Sequence, residues 1–317
     1  MNAFCTIVDE HYVPFAKALS ASIEQYDIKK QFFVLICNFE PKPEHEDGAG
    51  IQWMNLSDIM GSVLAKEIIH KYLHQSKKNE LRWALKPVLI AWLLDNGLEK
   101  IIYTDCDIFF VNNPCFLFDE LDKHSVILTP HWENIDPGEG GQLADILATG
   151  YFNAGFIGVS KYGLPAMNWW AEACGYKVEK SVETGFYDDQ RYLDIMPFEF
   201  DKVNILQHRG CNLACWNMHV NKREIIDGKL KIAKEYEPVF IHFTNETIQN
   251  IINGNDQLLY PYLEKYIKAF RNQGPSAEHI LANIGFSQKR SFVIYLKHKL
   301  LIRTRIKRIL YKIAEKL

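Results

Sequence analysis

Two carboxylates, Asp105 and Asp107, stand at the end of an apolar run in this 317-residue chain, with Cys106 between them. The β-branched and aromatic residues 101–103 that precede them predict a buried strand. Because desolvating an isolated carboxylate is costly, the pair needs a positive partner or hydrogen-bond donors. A hard divalent cation that also binds phosphate oxygens would be such a partner. The alternative is a strand-end turn whose backbone amides satisfy both acids.

Three further residues have side chains suited to the same chemistry. Lys86 interrupts the apolar face of a helix predicted over residues 79–94, where it either meets an anion or extends to solvent. Asn153 lies in a predicted strand among small residues that permit close approach of a ligand, and its amide can bond sugar hydroxyls from both ends. His242 ends a later predicted strand and is either a ligand or a core histidine.

A scaffold that gathers strand ends is required to bring these residues together. Strands and helices alternate in the first half of the chain, which predicts a doubly wound α/β fold with a parallel sheet and right-handed crossovers. Ligands bind such sheets outside the carboxyl ends of the strands. The predicted strands cover residues 4–8, 31–37, 51–56, 101–103, 125–129, 151–159 and 239–243. Helices are predicted from residue 13, after a cap at Ser57, and over 79–94 and 164–176.

Two segments are predicted to lack regular structure. The polar segment 130–141 contains three glycines and is a candidate mobile lid near the carboxylate pair. Residues 272–276 form a linker-like stretch rich in Gly, Pro and Ser. We therefore expect a globular domain over residues 1–272 and a separate tail over 273–317.

Charge is unevenly distributed along the chain. Residues 289–317 contain ten Lys or Arg residues and one acid, a net charge of +9, which leaves −12 for residues 1–288 given the total of −3. So acidic a domain is a poor candidate for nucleic-acid binding. From residue 292 onward, apolar residues recur at helical spacing with basic residues opposite, which predicts an amphipathic helix on an anionic membrane. The alternative is a helix packed on protein.

The sequence shows no sign of export or of a membrane span. Met1 leads into an apolar strand without a basic leader region, and no apolar stretch approaches the ~18–20 residues that cross a bilayer. The seven cysteines are odd in number and scattered, which favours reduced thiols in a cytosolic protein. Cys211 and Cys215 lack a second Cys or His pair at metal spacing, so we expect buried thiols rather than zinc ligands.

The order of these motifs resembles that of GT-A glycosyltransferases, specifically glycosyltransferase family 8 and related bacterial enzymes that build surface polysaccharide. The resemblance covers roughly residues 1–270. It implies retaining transfer of a hexose from a nucleotide sugar, usually a UDP-sugar, to a saccharide or lipid-linked acceptor, with a manganese ion as cofactor. The matching motifs are Asp9 with His11 and Tyr12, Lys86, Asp105-Cys106-Asp107, Phe152-Asn153-Ala154-Gly155, Asp189-Gln190 and Ile241-His242-Phe243.

By position, the resemblance assigns each of these residues a role. The imidazole of His242, which the resemblance implies is a metal ligand, favours Mn²⁺ over Mg²⁺. The implied metal ligands are Asp105, Asp107 and His242. The implied reaction-centre residues are Asp189 and Gln190. The implied donor site consists of Ile7 and Val8 through their backbone, Asp9, His11, Tyr12, Lys86, Cys106, Asn153 and Ala154.

The chain departs from the family pattern at two positions. After His242 the family has a glycine and then Lys-Pro-Trp, whereas this chain continues with residues 243–246, Phe-Thr-Asn-Glu. Neutralisation of the diphosphate is then left to Lys86 or to a mobile loop. Arg191 follows Gln190 where some relatives carry an acid, which argues against a covalent intermediate on that residue.

The combined interpretation is a cytosolic, metal-dependent glycosyltransferase held at the inner face of the membrane by its tail. One alternative is a sugar-nucleotide pyrophosphorylase, which would need a glycine-rich, basic loop after the first strand, where this chain has the acidic segment 9–12. The other is a non-catalytic saccharide-binding scaffold at the membrane, which turnover of a donor would exclude.

Overall fold

The computed structural model describes residues 1–26, 30–38, 50–74 and 78–273, together with Ala277 and Leu281. Strands and helices are mixed along the chain. The strands are β1 Asn2–Val8, β2 Gln31–Ile36, β3 Ile51–Asn55, β4 Lys100–Thr104, β5 Ile108–Phe110, β6 Val126–Pro130, β7 Phe152–Ser160, β8 Glu179–Ser181, β9 Phe186–Asp188, β10 Val203–Ile205, β11 Arg223–Ile226, β12 Lys229–Ile232 and β13 Phe240–His242. The helices are α1 Val13–Glu24, α2 Leu56–Ile59, α3 Val63–His74, α4 Lys78–Asp95, α5 Cys115–Glu120, α6 Gly140–Thr149, α7 Leu164–Tyr176, α8 Met196–Glu199, α9 Asn245–Ile252 and α10 Tyr260–Arg271.

A seven-stranded sheet forms the centre of the described part of the chain. Its order is β10-β6-β7-β4-β1-β2-β3. β1 pairs in parallel with β2 and β4, and β6 pairs in parallel with β10. β7 lies between β4 and β6 and is antiparallel to both. The predicted doubly wound α/β class is therefore confirmed, with one reversed strand.

Both faces of the sheet are buried, which explains why its central strands are almost uniformly apolar. In β1, Phe4 faces one core and Cys5 the other, and in β4 Ile102 and Ile101 divide in the same way. All nine residues of β7 are buried. α1 and α10 pack together beside the first core, while α3, α4 and α7 pack on the second.

A two-stranded antiparallel pair outside the large sheet positions His242. β5 follows the Asp105–Asp107 turn directly and pairs with β13, with His242 opposite Ile108. The Phe243 amide also donates to the Asp107 carbonyl at 2.8 Å. This pairing fixes His242 beside the carboxylates, although the two segments are more than 130 residues apart in sequence.

The strand predicted at residues 101–103, with Asp105 and Asp107 at its end, is β4, and the apolar run that resumes after Asp107 forms the separate strand β5. The structure corrects two other local predictions. The segment 130–141 is not wholly irregular, because it ends in a 3₁₀ turn at Pro137–Glu139 and the start of α6. The cap of α2 is Asn55 rather than Ser57, whose amide donates to the Asn55 side chain. Each error comes from turn and cap chemistry that depends on local geometry.

The C-terminal helix predicted in the tail, and the tail itself over 289–317, lie outside the described residues. The domain boundary at residue 272 therefore stays a prediction. Within the part of the chain that the structure describes, no helix combines the length and the apolar content that a bilayer crossing requires.

Candidate active site

The predicted site residues gather where the parallel strands end. β1 ends just before Asp9, and β4 ends just before Asp105. Because β7 runs antiparallel to β4, its first residues lie at the same edge, and Asn153 is one of them. The structure thus brings together side chains from three separate stretches of sequence at one edge of the sheet, as expected for an α/β fold of this kind.

The backbone of the Asp105–Asp107 turn is held firmly in place. The Asp105 amide donates to the Gly155 carbonyl at 2.7 Å, and the Ile108 amide donates to the Asp105 carbonyl at 3.1 Å. The Asp105 carboxylate accepts from the Tyr103 hydroxyl at 2.9 Å. These hydrogen bonds fix the backbone of the turn and therefore the positions from which the two carboxylates extend.

Asp105, Asp107 and His242 form a three-residue cluster with metal-ligand chemistry. One ligand atom from each lies within 4.8 Å of the others. His242 Nε2 lies 3.0 Å from Asp107 Oδ1. Two carboxylates and one imidazole are a donor set that divalent cations accept. The residues therefore fit a divalent cation, and the sequence prediction of these three side chains as neighbours is confirmed.

A buried asparagine sets the orientation of His242. His242 Nδ1 lies 3.4 Å from Asn212 Oδ1, and Asn212 is fully buried with a left-handed backbone at φ 58°. Burial alone would lower the pKa of His242, but the charge and hydrogen bond of Asp107 raise it. A ligating histidine commonly donates its second N–H to such a partner, which fixes the ring. Asn212 provides this contact.

Lys86 lies between two carboxylates rather than in solvent. Its Nζ is 3.2 Å from Asp105 Oδ1 and 3.3 Å from Asp189 Oδ2, and it donates to the Ala154 carbonyl at 3.1 Å. Only 4% of Lys86 is exposed. Burial opposes its charge, yet the two carboxylates raise its pKa, so the ammonium stays protonated. The snorkelling alternative is excluded by this geometry.

Asp189 and Gln190 are both buried and tightly held. Burial raises the pKa of Asp189 to about 7, although the Lys86 charge opposes the rise. The Trp170 indole donates to the Asp189 carbonyl at 2.9 Å. Gln190 Oε1 accepts from the Ala154 amide at 3.2 Å, and its Nε2 donates to the Thr149 carbonyl at 2.8 Å. These bonds bring the 189–190 segment against the start of β7.

Asn153 is oriented by a neutral histidine. Its Nδ2 donates to His131 Nε2 at 3.1 Å, and its Oδ1 accepts from the Gly155 amide at 3.0 Å. The other ring nitrogen of His131 lies 3.3 Å from the Tyr151 carbonyl. Burial lowers the pKa of His131 to about 4, while the Tyr151 contact opposes the fall. A neutral ring protonated at Nδ1 satisfies both contacts.

The residues predicted to hold the nucleotide surround the end of β1. Asp9 Oδ1 accepts from the His11 amide at 3.0 Å and caps the turn that carries Tyr12. Arg82 Nη1 lies 3.5 Å from Asp9 Oδ2, and its guanidinium sits 4.6 Å from the centre of the Tyr12 ring. The Val8 carbonyl accepts from the Cys37 amide. Side chains at this end are therefore positioned before any ligand arrives.

Sequence reasoning missed several residues that position the predicted ones. Arg82 precedes Lys86 by four residues and so shares its helix face, a signal that was present in the sequence. His131 and Asn212 gave no such signal, because their partners lie more than 20 residues away. The Asn217 amide joins both regions, since it donates to the carbonyls of His131 and Asn212.

The cysteines carry no metal site among the described residues. Cys211 and Cys215 are both buried, free thiols, as predicted, and burial raises the pKa of each. Cys106 is likewise buried, and burial together with the Asp107 charge raises its pKa. A protonated thiol at this position is a poor metal ligand, so the cation chemistry rests on the carboxylates and the imidazole.

The first prediction concerns Gly155, whose missing side chain leaves room at the cluster. A Cβ there would lie 2.6 Å from His242 Cε1, 2.7 Å from Asn153 Oδ1 and 3.1 Å from Asp105 Oδ2. Gly155→Ala should therefore displace these groups and weaken Mn²⁺ binding by roughly 10–100-fold. Gly61→Ala, whose Cβ would meet nothing within 4 Å, is the matched control. Titration by electron paramagnetic resonance measures the affinity, and equal binding by both variants would contradict the geometry.

The second prediction concerns the acid sensitivity of the fold. His131 is neutral in the folded protein. Its contribution to the free energy of unfolding is therefore fully present above its ordinary pKa of 6.5 and is lost as the pH falls towards about 4. His131→Gln should reduce the loss of unfolding free energy between pH 7 and pH 5 by about 2 kcal/mol. Denaturant titrations at both pH values measure this. His219→Gln, at an exposed position, should leave the loss unchanged, and a similar result for both variants would refute the assignment.

Comparisons with other sequences find relatives but no described family. No family model matches the chain. The chain is 26% identical over 256 residues to the uncharacterized protein YfnF of Bacillus subtilis (strain 168), covering 79% of this chain and 83% of that protein. It is 28% identical over 211 residues to YfnD of the same organism, covering 65% of this chain and 64% of that protein.

Comparisons with solved structures concern the fold. The apo structure of mouse xyloside xylosyltransferase 1 is similar, with a TM-score of 0.50 and 11% identity over 78% of this chain and 99% of that one. A galactosyltransferase LgtC complex with donor and acceptor sugar analogues has a TM-score of 0.48 and 14% identity over 77% of this chain and 87% of that one. The chain has the mixed α/β, Rossmann-like GT-A fold of the glycosyltransferases.

Proposed function

We propose that the protein is a retaining, metal-dependent glycosyltransferase of the family 8 type that moves a hexose from a nucleotide sugar, a UDP-sugar, to a saccharide or lipid-linked acceptor in cell-surface polysaccharide synthesis. The observation that carries the proposal is the Asp105, Asp107 and His242 cluster at the carboxyl edge of a GT-A sheet. The two similar glycosyltransferase structures share this fold, and one of them is described with donor and acceptor analogues.

Asp105, Asp107 and His242 would hold Mn²⁺ or Mg²⁺. Bound there, the cation would neutralise charge that develops on the leaving diphosphate, which is the chief electrostatic demand of glycosyl transfer. The protein orients two of the three ligand side chains, Asp105 through Tyr103 and His242 through Asn212. Lys86 is held by Asp105 and Asp189, which supports a role in balancing these acids beside the donor phosphates.

The nucleotide would lie along the end of β1. The backbone of Ile7 and Val8 and the side chains of Asp9 and His11 offer hydrogen bonds to a base and a ribose. Tyr12 offers an aromatic face, with the Arg82 guanidinium held at its ring and paired with Asp9. This arrangement supports recognition of a nucleoside by polar groups on one side and by an aromatic ring on the other.

The donor sugar would lie beside Asn153, Ala154, Asp189 and Gln190. Asn153 is fixed by His131 and Gly155, yet each end of its amide keeps one further hydrogen-bonding position for a hydroxyl. Gln190 is held at both ends and carries no titratable group, so it can orient a sugar but cannot accept a proton as an ionised acid would. This supports transfer with retention, without a general base at Gln190.

The pyrophosphorylase alternative is less well supported. After β1 the chain forms a 3₁₀ turn over Glu10–Tyr12 capped by Asp9, in place of a glycine-rich basic loop for phosphates. A non-catalytic saccharide-binding scaffold would not need two carboxylates, one buried and one partly exposed, paired with one buried lysine. Donor turnover distinguishes the proposal from the scaffold directly.

The third prediction tests the activity. The wild-type protein should hydrolyse or transfer from a UDP-sugar in the presence of Mn²⁺, and anomeric couplings in proton NMR should show a retained configuration in the fresh product. Asp107→Asn should lower turnover by more than the ~10–100-fold typical of outer-shell changes, while the melting temperature stays near wild type. Asp119→Asn, an exposed acid on α5, is the control. Normal, metal-independent turnover by the Asp107 variant, or an inverted product, would refute the assignment.

The basic tail supports a location at the cytoplasmic face of the membrane. Residues 289–317 carry +9 while the remainder carries −12, so an anionic bilayer would repel the globular part and attract the tail. Attraction is worth about 1 kcal/mol per basic residue near such a surface. Lipid-linked acceptors would then meet the active site at the membrane.

The fourth prediction tests this location. Reversing the charge of four tail residues should abolish sedimentation with phosphatidylserine vesicles and spare turnover on a short soluble acceptor. The residues are Arg303, Arg305, Lys307 and Arg308. The wild-type protein should not sediment with neutral phosphatidylcholine vesicles, and its binding to anionic ones should weaken as salt rises. A change in oligomeric state or loss of folding in the variant would instead assign the tail to protein packing.

A further inference from the structure

An arginine without a carboxylate partner lies on an aromatic ring near the start of β7. The Arg209 guanidinium carbon is 3.4 Å from the centre of the Trp132 ring, a stacked arrangement. Trp132 follows His131, the residue that orients Asn153, and has a left-handed backbone at φ 58°. The Tyr151 carbonyl accepts from the His131 amide at 2.9 Å, which keeps Tyr151 beside the same loop.

Arg209 differs from other arginines of the described chain in its charge balance. Arg82 pairs with an aspartate, as do Arg191 and Arg223. Among the described residues no carboxylate pairs with Arg209, and its guanidinium donates from Nη1 to Asn221 Oδ1 at 3.3 Å. A guanidinium has five donors and stays charged in proteins, so several donors remain for a ligand.

The position of Arg209 is fixed in advance. The next residue, Gly210, packs so closely on the Glu237 carbonyl that a Cβ there would lie 1.9 Å from the oxygen. The Gly210 carbonyl accepts from the Val239 amide at 2.7 Å, which ties the segment to the strand of His242. The Asn221 side chain also donates back to the Arg209 carbonyl at 3.4 Å. A charged group held in this way loses little conformational freedom on binding.

The strand order places Arg209 on the far side of the donor sugar from the nucleotide. Moving across the sheet from β1, the site passes the carboxylates after β4, Asn153 on β7, Trp132 after β6 and Arg209 after β10. Neighbouring strands are ~4.8 Å apart, so three steps separate β4 from β10 by about 14 Å. This separation of the strands favours an acceptor that approaches the sugar, rather than a diphosphate held at the carboxylates, as the ligand of Arg209.

We propose that Arg209, stacked on Trp132, binds an anionic group of the acceptor, a carboxylate or a phosphate. The inference rests on the proposed glycosyltransferase function and deepens it by naming the acceptor class. The planar guanidinium can donate two parallel hydrogen bonds to either anion, and stacking on the indole ring fixes the orientation of the guanidinium plane. The charged group belongs to a part of the acceptor beyond the reacting hydroxyl, because β10 lies two strands from β7.

The experiment compares pairs of ligands in which one member carries an anionic group and the other a neutral hydroxyl at the same position. Phenyl β-D-glucuronide is paired with phenyl β-D-glucoside, and glucose 6-phosphate with glucose, so that the two arms separate a carboxylate from a phosphate. Binding to the full-length protein is measured by ligand-observed NMR titration with UDP and Mg²⁺ present, which keeps anions from the donor site. The variants are Arg209→Gln, Arg209→Lys and, as a control for lost charge on the exposed surface, Lys222→Gln.

The wild-type protein should bind at least one charged member more tightly than its neutral match. Arg209→Gln should weaken that binding by roughly 10-fold or more, Arg209→Lys should restore part of it, and Lys222→Gln should not change it. UDP affinity should be equal in all four proteins, because the proposal places Arg209 outside the donor site. Equal binding of charged and neutral members, or a preference that survives Arg209→Gln, overturns the inference.

Two other outcomes separate this inference from the proposed function. A loss of UDP affinity in Arg209→Gln would place the arginine in the donor site and overturn the acceptor assignment. If the wild-type protein turns over no nucleotide sugar with any divalent cation, the proposed function fails, whatever the anion titration shows. If donor turnover is normal and no binding depends on Arg209, only the acceptor inference fails.

Discussion

The site depends on balancing the charge of three carboxylates that the fold brings to one edge of the sheet. Lys86 compensates Asp105 and Asp189, while His242 compensates Asp107. Removing one member of the buried Lys86–Asp189 pair costs about 3–5 kcal/mol, because an uncompensated charge stays in the interior. The balance therefore constrains α4, which carries the lysine, as strictly as it constrains the turn after β4. A divalent cation would enter a site whose charges are already arranged.

The order of the strands places the groups of the candidate site in a row along one edge of the sheet. The end of β1 offers polar and aromatic contacts, β4 ends at the carboxylates, and β7 begins at Asn153. Because β7 is antiparallel to β4, its first residues lie at this edge of the sheet. The small Ala154 and Gly155 there allow a ligand to approach closely. Nucleotide, metal, sugar and acceptor would then follow one another along the edge of a single sheet. Each step from strand to strand is ~4.8 Å.

Side chains that are not themselves predicted to contact the substrates keep the site residues in position. His131 orients Asn153, Asn212 orients His242, and Asn217 bonds the backbone of both orienting residues. Arg223 in turn donates to Asn217 and pairs with the buried Asp256, so the network extends to a buried ion pair. These contacts orient Asn153 and His242 from outside the reacting groups.

The main chemistry of the site was predictable from sequence, whereas its support was not. Asp105 and Asp107 stood out because charged residues interrupt an apolar run, and Lys86 stood out on an apolar helix face. The strand periods also predicted the sheet. The roles of His131 and Asn212 depend on contacts across more than 20 residues, which periodicity does not encode. α6 was not predicted, because the glycines that begin it also favour a loop.

The central claim is that Asp105, Asp107 and His242 bind one divalent cation together with the diphosphate of a nucleotide. Anomalous X-ray diffraction from crystals of the full-length protein grown with Mn²⁺ and UDP tests it most directly. The account predicts a single anomalous peak within coordination distance of all three side chains and of phosphate oxygens. A peak at other residues, or ordered UDP whose phosphates lie away from this cluster, would contradict it.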